Sequence, residues 1–332
     1  MSKAVLCQGD ALDFYPEWDC PDAIVSDGPY GVGGYEGDPH SAEELAGAYL
    51  PHVEAWSRFC RQSTVLWFWN TELGWAEVHP VLKACGWRYV CCCIWDKGIG
   101  HVAGNVNART IGHLPVSTEV CVQYVREQTV SAGGKTLPMK EWLRSEWERT
   151  GLPLREANFA CGVKDAASRK WLAKDWMWYE PPAEAFGRLS AYANLHGRKE
   201  GRPYFSLDGL NPAGETEFQA RKPKFRCPVG STNVWSEPHL SGAERLREGT
   251  RSLHSNQKPL RLMKGIVEMS TDEGDAVWEP FGGLCTAAVA CLELNRRCFA
   301  AEIGRNSFSA ALNRVRRAAL LNGLPADAVQ TL

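Results

Sequence analysis

The spacing of hydrophobic and polar positions changes twice along the chain and divides it into three regions. Residues 1–126 alternate short, β-branched apolar runs with stretches in which apolar residues recur at helical spacing. Residues 127–250 hold clusters of Gly, Pro and Trp with weakly periodic segments, and the first pattern returns from residue 251. Strand–helix alternation predicts a mostly parallel sheet. The sequence therefore predicts one α/β domain, made of residues 1–126 and 251–332, with an inserted region over 127–250.

The same patterns predict individual elements. Strands are predicted over residues 23–27, 64–70, 87–95, 119–125, 275–278 and 298–303. Helices are predicted over residues 41–61, 71–85, 138–149, 153–160, 165–175, 258–271, 285–295 and 306–322. Within the insert, the turn at residues 150–153 and the helical segment after it are also consistent with a helix-turn-helix.

Composition and charge exclude several classes of protein. The 332 residues are 44% hydrophobic and 23% charged, which excludes a wholly disordered chain. The formal net charge of −2 excludes a uniformly basic coat protein but leaves room for a local basic face. No apolar stretch approaches the roughly 18 residues of a membrane span, and no export signal is recognisable. With 13 Cys, an odd number, we expect a cytoplasmic protein with reduced thiols.

A turn with a carboxylate directly follows the first predicted strand. Its residues, 26–30, read Ser-Asp-Gly-Pro-Tyr. The carboxyl end of a parallel strand is where open α/β sheets bind their ligands, so Asp27 and Tyr30 are candidates for chemistry. Asp, Gly and Pro are also ordinary turn residues, and taken alone the segment is at least as consistent with a simple strand-end turn.

Two further segments indicate a ligand site. Residues 279–283 read Glu-Pro-Phe-Gly-Gly between a predicted strand and a predicted helix. Glycines let a ligand approach the backbone, and a helix N-terminus offers free N–H groups, which is typical of a nucleotide pocket. Glu302 ends the next predicted strand, where a carboxylate commonly holds ribose hydroxyls, although an exposed strand-end Glu is the alternative. The polar run His254–Pro259 is by itself an ordinary helix start.

Together these segments resemble the β class of DNA amino-methyltransferases that use S-adenosylmethionine. In that class an (Asp/Asn/Ser)-Pro-Pro-Tyr tetrapeptide precedes a target-recognition region, and a His-x-x-Gln-Lys-Pro segment and an Asp-Pro-Phe-x-Gly-Ser-Gly-Thr loop follow it. Residues 27–30, 254–259 and 279–286 match these segments in that order. Residues 8–11 and 94–97 resemble the Gly-Asp step and the Trp-x-Lys strand of the class. The departures from the pattern are Gly28, Glu279, Leu284 and Cys285.

The resemblance implies a fold and a set of site residues. The fold would be a Rossmann-like methyltransferase sheet, mostly parallel with helices on both faces, and the insert would be the target-recognition region. The catalytic residues would be Asp27, Gly28, Pro29 and Tyr30. The residues implied for S-adenosylmethionine are Asp10 at the adenine, Glu302 at the ribose, Asn256, Gln257 and Lys258 at the methionine end, and Glu279, Pro280, Phe281, Gly282, Gly283 and Thr286 in the loop.

The residue types then suggest a mechanism for methylating an exocyclic amino group. The Asp27 carboxylate and the Gly28 carbonyl would each accept one amino hydrogen, which directs the nitrogen lone pair toward the methyl donor. Tyr30 would stack on a base that has left the duplex, and residues 31–40 would form a mobile loop that closes over it. Asp27 favours adenine N6 slightly over cytosine N4. Methylation at cytosine C5 is excluded, because that family's nucleophilic Cys lies in a Pro-Cys dipeptide that this chain lacks.

The tryptophans fall into two groups. Trp67, Trp69, Trp87 and Trp95 lie in predicted strands and are expected in the core. Those of the insert alternate with basic residues, which suits contact with DNA and equally suits a small helical core with a charged surface. The basic residues proposed to contact DNA are Arg169, Lys170, Lys174, Arg221, Lys222 and Lys224. No metal is expected, because the chain lacks a Cys-x-x-Cys pair and residues 91–93 alternate between the faces of a strand.

The sequence thus indicates a site-specific, bacterial or phage-type methyltransferase that acts on double-stranded DNA, either in a restriction–modification system with a cognate restriction endonuclease or as an orphan enzyme. Methylation of RNA or of a protein glutamine is one alternative. A catalytically silent DNA-binding relative is another, and the departures at Gly28 and Cys285 are what favour it. The recognition sequence and the oligomeric state, a dimer included, stay open.

Overall fold

The computed structural model describes residues 4–102, 112–132, 134–199, 201–240, 242–248, 251–253 and 256–332. The strands are β1 (Ala4–Gln8), β2 (Ala23–Ser26), β3 (Val65–Asn70), β4 (Trp87–Asp96), β5 (Thr118–Arg126), β6 (Thr129–Ala132), β7 (Lys135–Pro138), β8 (Val234–Ser236), β9 (Arg247–Glu248), β10 (Arg251–Ser252), β11 (Ala276–Glu279), β12 (Arg297–Glu302) and β13 (Val329–Thr331). The helices are α1 (Ala11–Phe14), α2 (Leu45–Phe59), α3 (Glu72–Ala84), α4 (Met139–Thr150), α5 (Leu154–Cys161), α6 (Ala183–His196), α7 (Glu215–Ala220), α8 (Leu260–Ser270), α9 (Thr286–Glu293) and α10 (Arg305–Leu321). Over these ranges, none of the helices has the length and apolar character needed to cross a bilayer.

Nine strands form one mixed sheet in the order β13-β1-β12-β11-β2-β3-β5-β4-β8. The strands from β13 to β3 pair in parallel, and β5 pairs antiparallel with both β3 and β4. The predicted mostly parallel α/β sheet is therefore confirmed, and an antiparallel pair extends it at one side.

Apolar side chains cover both faces of this sheet. On one face, α1, α2 and α3 contribute buried residues such as Tyr49 and Trp56, and on the other, α8, α9 and α10 contribute residues such as Ile266 and Val315. The strand tryptophans are buried, as predicted, in these two layers: Trp67, Trp69, Trp87 and Trp95. Alternate burial also places Cys92 on one face and its two neighbours on the other.

The parallel strands determine where polar residues meet. In the pairing register, Gln8 lies beside Glu302, and Val277 of β11 lies beside Ala23 of β2. The carboxyl ends of β1, β12, β11 and β2 are therefore neighbours at one edge, which is the edge at which doubly wound sheets bind ligands.

A second compact unit comprises residues 127–222. It contains the β6–β7 hairpin and helices α4 to α7, packed around a core of its own. Trp142, Trp147 and Trp171 are buried in that core, so for these three the helical-core interpretation is the correct one. The unit begins at the predicted boundary but ends earlier than residue 250, because residues 223–332 belong to the first unit and β8 extends its sheet.

One local prediction in the insert differs from the structure. The helix predicted over 165–175 is only a π-helical turn, Ala167–Trp171, in which the Leu172 N–H donates to the Ala167 carbonyl, five residues back. Helices α6 and α7 and the β6–β7 hairpin were not predicted. The predicted turn at 150–153 does join two helices, α4 and α5.

Candidate functional site

A cavity of about 970 Å³ lies at the carboxyl ends of the four adjacent parallel strands. Its wall contains every residue that the resemblance assigned to catalysis or to the cofactor. The segments that supply them are far apart in sequence, and the strand order brings them together. The structure therefore assembles the predicted residues into one site. Of the His254–Pro259 segment, His254 and Ser255 lie outside the described residues.

Asp27 stands at the end of β2 within a buried network of charges. The Lys258 ammonium donates to Asp27 Oδ1 at 2.6 Å and lies 3.2 Å from Glu119 Oε2. The Tyr30 hydroxyl accepts from Lys258 at 3.0 Å and shares its proton between Asp27 at 2.9 Å and Glu119 at 3.2 Å. Lys97 donates to the other Glu119 oxygen at 2.5 Å. The network thus joins two cations, two carboxylates and a phenol.

The charges of the network keep Lys258 and Glu119 ionised. Burial alone would lower the pKa of Lys258, but the carboxylates of Asp27 and Glu119 outweigh it and raise that pKa. Burial alone would raise the pKa of Glu119, but Lys258 and Lys97 outweigh it and lower that pKa. Burial, followed by the two carboxylates, raises the pKa of Tyr30 well above its usual value. Tyr30 is therefore a neutral hydroxyl beside two ion pairs.

The sequence analysis did not identify Glu119, and it assigned Lys258 to the cofactor rather than to Asp27. Lys97 had appeared only as part of the Trp-x-Lys resemblance. The available signal for Glu119 was a charged residue near the start of a largely apolar strand, β5. Its contact with Lys97 depends on the pairing of β5 with β4, which no local pattern reveals.

Gly28 occupies a position that has no room for a side chain. A Cβ atom there would overlap the Phe281 ring and lie 2.6 Å from the Tyr49 hydroxyl oxygen. The next carbonyl, that of Pro29, accepts hydrogen bonds from Asn70 at 2.8 Å and from Tyr49 at 3.3 Å. A side chain at position 28 would therefore require Phe281 and Tyr49 to move.

The loop after β11 is organised around the Glu279 carboxylate. Its two oxygens accept the N–H groups of Ala287 and Ala288 at 2.9 Å each, at the start of α9. Burial, only partly opposed by these two donors, raises the pKa of Glu279 to about 8. Cys285 precedes the helix in the left-handed region with φ 50°, where the family pattern has Gly. The Thr286 hydroxyl accepts from Arg314 at 2.8 Å.

Glu302 is fixed by backbone donors at the end of β12. It accepts the N–H of Gly283 at 2.7 Å and that of Gly304 at 2.8 Å. Gln257, in contrast, uses its side chain to hold residues 244–246, accepting from the N–H of Leu246 and donating to the carbonyl of residue 244. Glu302 is thus oriented within the cavity wall, while Gln257 joins that wall to a neighbouring segment.

The wall next to Asp10 includes a histidine that the sequence analysis missed. Asp10 caps α1 by accepting from the Leu12 N–H at 2.9 Å. His52, on α2, lies in the same wall with Nε2 3.9 Å from Asp10 Oδ1, and its ring centroid is 4.7 Å from that of Phe281. Burial, opposed by Asp10, lowers the pKa of His52 to about 4. His52 is therefore neutral in this wall at ordinary pH.

The segment predicted as a mobile loop, residues 31–40, has defined local structure. The Asp38 carboxylate accepts the backbone N–H groups of Tyr30 and Gly31 at 2.8 Å and of Val32 at 3.2 Å. This ties the loop directly to the end of the tetrapeptide. Its closure over a base stays a prediction.

The basic residues proposed for DNA contact are already engaged within the protein. Arg169 and Lys174 form ion pairs with carboxylates at 3.2 and 2.8 Å, and Lys170 lies 5.4 Å from the Tyr179 ring centroid. These three are exposed or half-exposed on the second unit, and Trp176 beside them is 89% exposed.

The other three proposed DNA contacts have different surroundings. Arg221 and Lys222 donate to backbone carbonyls, and burial lowers the pKa of each. Lys224, in the first unit, pairs with Asp272 and Asp275. Arg221 and Lys222 thus have an evident structural role, and contact of any of the six with DNA stays a prediction.

Comparison with known proteins gives a family and a set of relatives. A family model described as DNA methylase, N6_N4_Mtase, matches residues 22–313. A segment of 71 residues is 35% identical to the type II methyltransferase M.HindIII of Haemophilus influenzae, covering 21% of this chain and 23% of that protein. The chain spans about a quarter of the length of the curated relatives that it matches.

Two solved structures resemble the whole chain. The M1.HpyAVI–SAM complex has a TM-score of 0.53 at 15% identity and covers 94% of this chain and 98% of that one. The PvuII DNA methyltransferase, cytosine-N4-specific, has a TM-score of 0.52 at 10% identity and covers 100% and 95%. At such identities the likeness concerns the fold, and it confirms the predicted Rossmann-like methyltransferase fold.

Proposed function

Because the chain belongs to the N6/N4 DNA methylase family, we propose that it methylates an exocyclic amino group of a base in double-stranded DNA, with S-adenosylmethionine as the methyl donor. One observation carries the proposal. The Asp27–Tyr30 turn and the Glu279–Gly283 loop, far apart in sequence, face a single cavity of about 970 Å³ at the carboxyl edge of the sheet. One cavity can therefore hold a base and a cofactor side by side.

The residues of the cavity fit the cofactor. The volume of about 970 Å³ is in the range of sites for nucleoside-sized ligands with space for a second group. Glu302 lies in the wall with both oxygens oriented by backbone donors, and each oxygen keeps acceptor capacity for a ribose hydroxyl. Gly283, with φ 53°, brings the backbone close to the cavity. When bound, S-adenosylmethionine supplies an electrophilic methyl group on sulfur.

The chain's own contribution is to position and polarise the amino group. The Asp27 carboxylate is held by Lys258 and Tyr30, and it accepts one amino hydrogen. The carbonyl of Gly28 accepts the other, so the nitrogen lone pair points away from both acceptors and toward the methyl donor. These acceptors are preorganised, so they need no rearrangement as charge develops on the amino nitrogen.

The proposal extends to the partners of the enzyme. We propose that the substrate is double-stranded DNA, that the enzyme acts in the cytoplasm, and that it works either with a cognate restriction endonuclease that reads the same site or as an orphan. The cations Arg169, Lys170 and Lys174, exposed or half-exposed on the second unit, and the exposed Trp176 support DNA over RNA or a protein glutamine as the substrate. Asp27 at the head of the tetrapeptide favours adenine N6 slightly over cytosine N4.

The proposal is tested by methyl transfer from labelled S-adenosylmethionine to duplex DNA, with the product nucleoside identified by mass. We expect N6-methyladenine or N4-methylcytosine. The Asp27→Ala variant should lose at least a hundredfold in rate while calorimetry shows unchanged cofactor affinity, because one amino-hydrogen acceptor is removed and the cofactor residues are kept. Asp13→Ala, at an exposed position outside the cavity, is the matched control. 5-Methylcytosine as the product, or label in RNA alone, would refute the proposal.

A further inference from the structure

His52 lies in the cavity wall beside the residue assigned to the cofactor adenine, and its hydrogen-bonding partners fix its tautomer. The Tyr15 hydroxyl lies 2.9 Å from His52 Nδ1, and the Trp56 indole N–H donates to the same hydroxyl at 2.8 Å. Tyr15, Trp56 and His52 are all buried. An indole N–H can only donate, so the Tyr15 oxygen accepts from Trp56.

The Tyr15 proton then requires an acceptor. Among the hydrogen bonds of the described residues, the remaining partner of this hydroxyl is His52 Nδ1. If Nδ1 carried the ring proton, the buried Tyr15 hydroxyl would have no acceptor, which is costly for a buried donor. Nδ1 is therefore the acceptor and the proton of the neutral ring resides on Nε2.

The Nε2–H group lies next to the Asp10 carboxylate without bonding to it. The separation of 3.9 Å between Nε2 and Asp10 Oδ1 exceeds hydrogen-bond distance. Both residues line the cavity. The wall thus presents one donor and one acceptor, a few ångströms apart, to whatever occupies this end of the cavity.

An adenine edge carries the complementary pair of groups. Its exocyclic amino group donates, and the adjacent ring nitrogen, N1 on one edge or N7 on the other, accepts. Two hydrogen bonds, one from His52 Nε2–H and one to the Asp10 carboxylate, would hold an adenine ring in its plane between the His52–Phe281 side of the wall and the opposite side. A base with an oxo group in place of the amino group would face Asp10 with an acceptor, which the carboxylate repels.

We propose that His52 determines cofactor specificity by donating its Nε2–H to a ring nitrogen of the adenine, while Asp10 accepts from the adenine amino group. This inference rests on the proposed function, since it assumes that the cofactor binds in this cavity. His52 contacts the cofactor here and not the reacting atoms, so its effect is on affinity and on discrimination among nucleobases.

The test is calorimetric binding of S-adenosylhomocysteine and of its 1-deaza and 7-deaza analogues, each of which lacks one ring-nitrogen acceptor. We expect one of the two analogues to bind about five- to tenfold more weakly than the parent, the effect of one lost hydrogen bond. In His52→Asn, whose amide oxygen replaces the Nδ1 acceptor and which has no donor at the ε position, the parent should lose the same factor and the deaza penalty should disappear. His52→Gln, which restores an N–H donor at that position, should recover most of the affinity.

The outcomes separate this inference from the proposed function. If the wild type binds neither S-adenosylmethionine nor S-adenosylhomocysteine, the proposed function fails and this inference with it. If the wild type binds the parent and both deaza analogues equally, the inference alone is wrong. A deaza penalty that persists undiminished in His52→Asn also overturns it, because another group then supplies the donor. If the variant does not fold, as thermal unfolding would reveal, the analogue series on the wild type still decides.

Discussion

At the scale of residues, Glu119 is the centre of the buried charges beside the cavity. Its two oxygens meet two different ammonium groups, Lys97 on one side and Lys258 on the other, and Lys258 in turn holds Asp27. Lys258 has a side chain that is only 1% exposed, so it cannot exchange its partners for water. The position of the Asp27 carboxylate therefore depends on Glu119, which does not bond to Asp27 itself but holds Lys258.

Removing the charge of Glu119 should destabilise the protein. In Glu119→Gln, Lys97 and Lys258 both lose the charge of the carboxylate that they share, and breaking a buried pair in this way typically costs about 3–5 kcal/mol. Urea unfolding measures the loss. The double variant Glu119→Gln with Lys97→Gln, which restores charge balance, should lose less than the single one. Equal unfolding free energies for the wild type and Glu119→Gln would mean that the network contributes nothing to stability.

Gly28 gives a second prediction at this scale. Gly28→Ala should destabilise the protein by about 1–3 kcal/mol, because the new methyl group displaces the Phe281 ring and the Tyr49 hydroxyl. Gly47→Ala is the matched control, since it lies on the exposed side of α2 with no atom within 4 Å of the added Cβ. That change should stabilise by about 0.5–1 kcal/mol. Thermal unfolding compares the two, and the same sign for both would contradict the packing argument.

Site residues at strand ends could be predicted from the sequence, and residues placed by tertiary pairing could not. Asp27 and Glu302 follow apolar runs, so the strand-end rule locates them without a structure. Glu119 meets Lys97 only because β5 pairs with β4. His52 lies at helical spacing from the buried Tyr49 and Trp56, which is typical of an ordinary core position. Nothing in the local sequence distinguishes such a residue from one that only packs in the core.

At the scale of elements, helix α9 begins on a buried carboxylate rather than on a conventional N-cap. Glu279 ends β11 and accepts two N–H groups from the first turn of the helix, so strand, loop and helix are fixed to one another by one side chain. Glu279 therefore fixes the conformation of the 279–283 loop and also forms part of the cavity wall.

Stability should depend on pH through Glu279. Burial raises the pKa of its carboxyl from 4.5 to about 8 on folding, so the folded protein holds a proton that the unfolded chain releases. The stabilisation is fully present below pH 4.5 and is lost as the pH rises through about 8. The difference in unfolding free energy between wild type and Glu279→Gln should fall by about 1.4 kcal/mol per pH unit across this window.

Chemical unfolding between those two pH values measures the Glu279 effect. Glu273→Gln, at an exposed position, serves as the control and should run parallel to the wild type. A wild-type profile parallel to that of Glu279→Gln would show that this carboxyl does not take up a proton on folding.

The sequence predicted the helices and strands of the first unit better than those of the insert. In the first unit, apolar runs and amphipathic stretches corresponded to strands and helices because one sheet buries all of them. In the insert, α6 was obscured by Pro181, Pro182 and the internal Gly187, which are typical of loops. Pro182 in fact stands just before the first turn of the helix, where its missing N–H costs nothing.

At the scale of the whole molecule, the insert has the internal packing of an independent domain. Buried aromatic and aliphatic side chains from α4 to α7 contact one another within residues 127–222. A buried cluster in the same unit pairs Glu146 with Arg149 and Arg202. Both the apolar core and the ion pairs are thus complete within that range.

A polypeptide of residues 127–222 should therefore fold alone and unfold cooperatively on heating, as followed by circular dichroism. Trp142→Ala, at a fully buried position, should destabilise it by about 3–5 kcal/mol. Trp176→Ala makes the same change at an 89% exposed position and should alter stability by less than about 0.5 kcal/mol. A broad, non-cooperative transition in the unmutated polypeptide would contradict its independence.

In the proposed function, the Phe281 ring connects the sites of the two substrates. The ring packs against Gly28, whose carbonyl is proposed to accept from the base, and against His52, which is proposed to contact the cofactor. A molecule that shifts the ring from one side therefore shifts the peptide on the other. Linkage requires such an influence to be reciprocal, so that each substrate changes the affinity for its companion by the same factor. The two binding events are thus a coupled equilibrium, with the same coupling whichever substrate binds first.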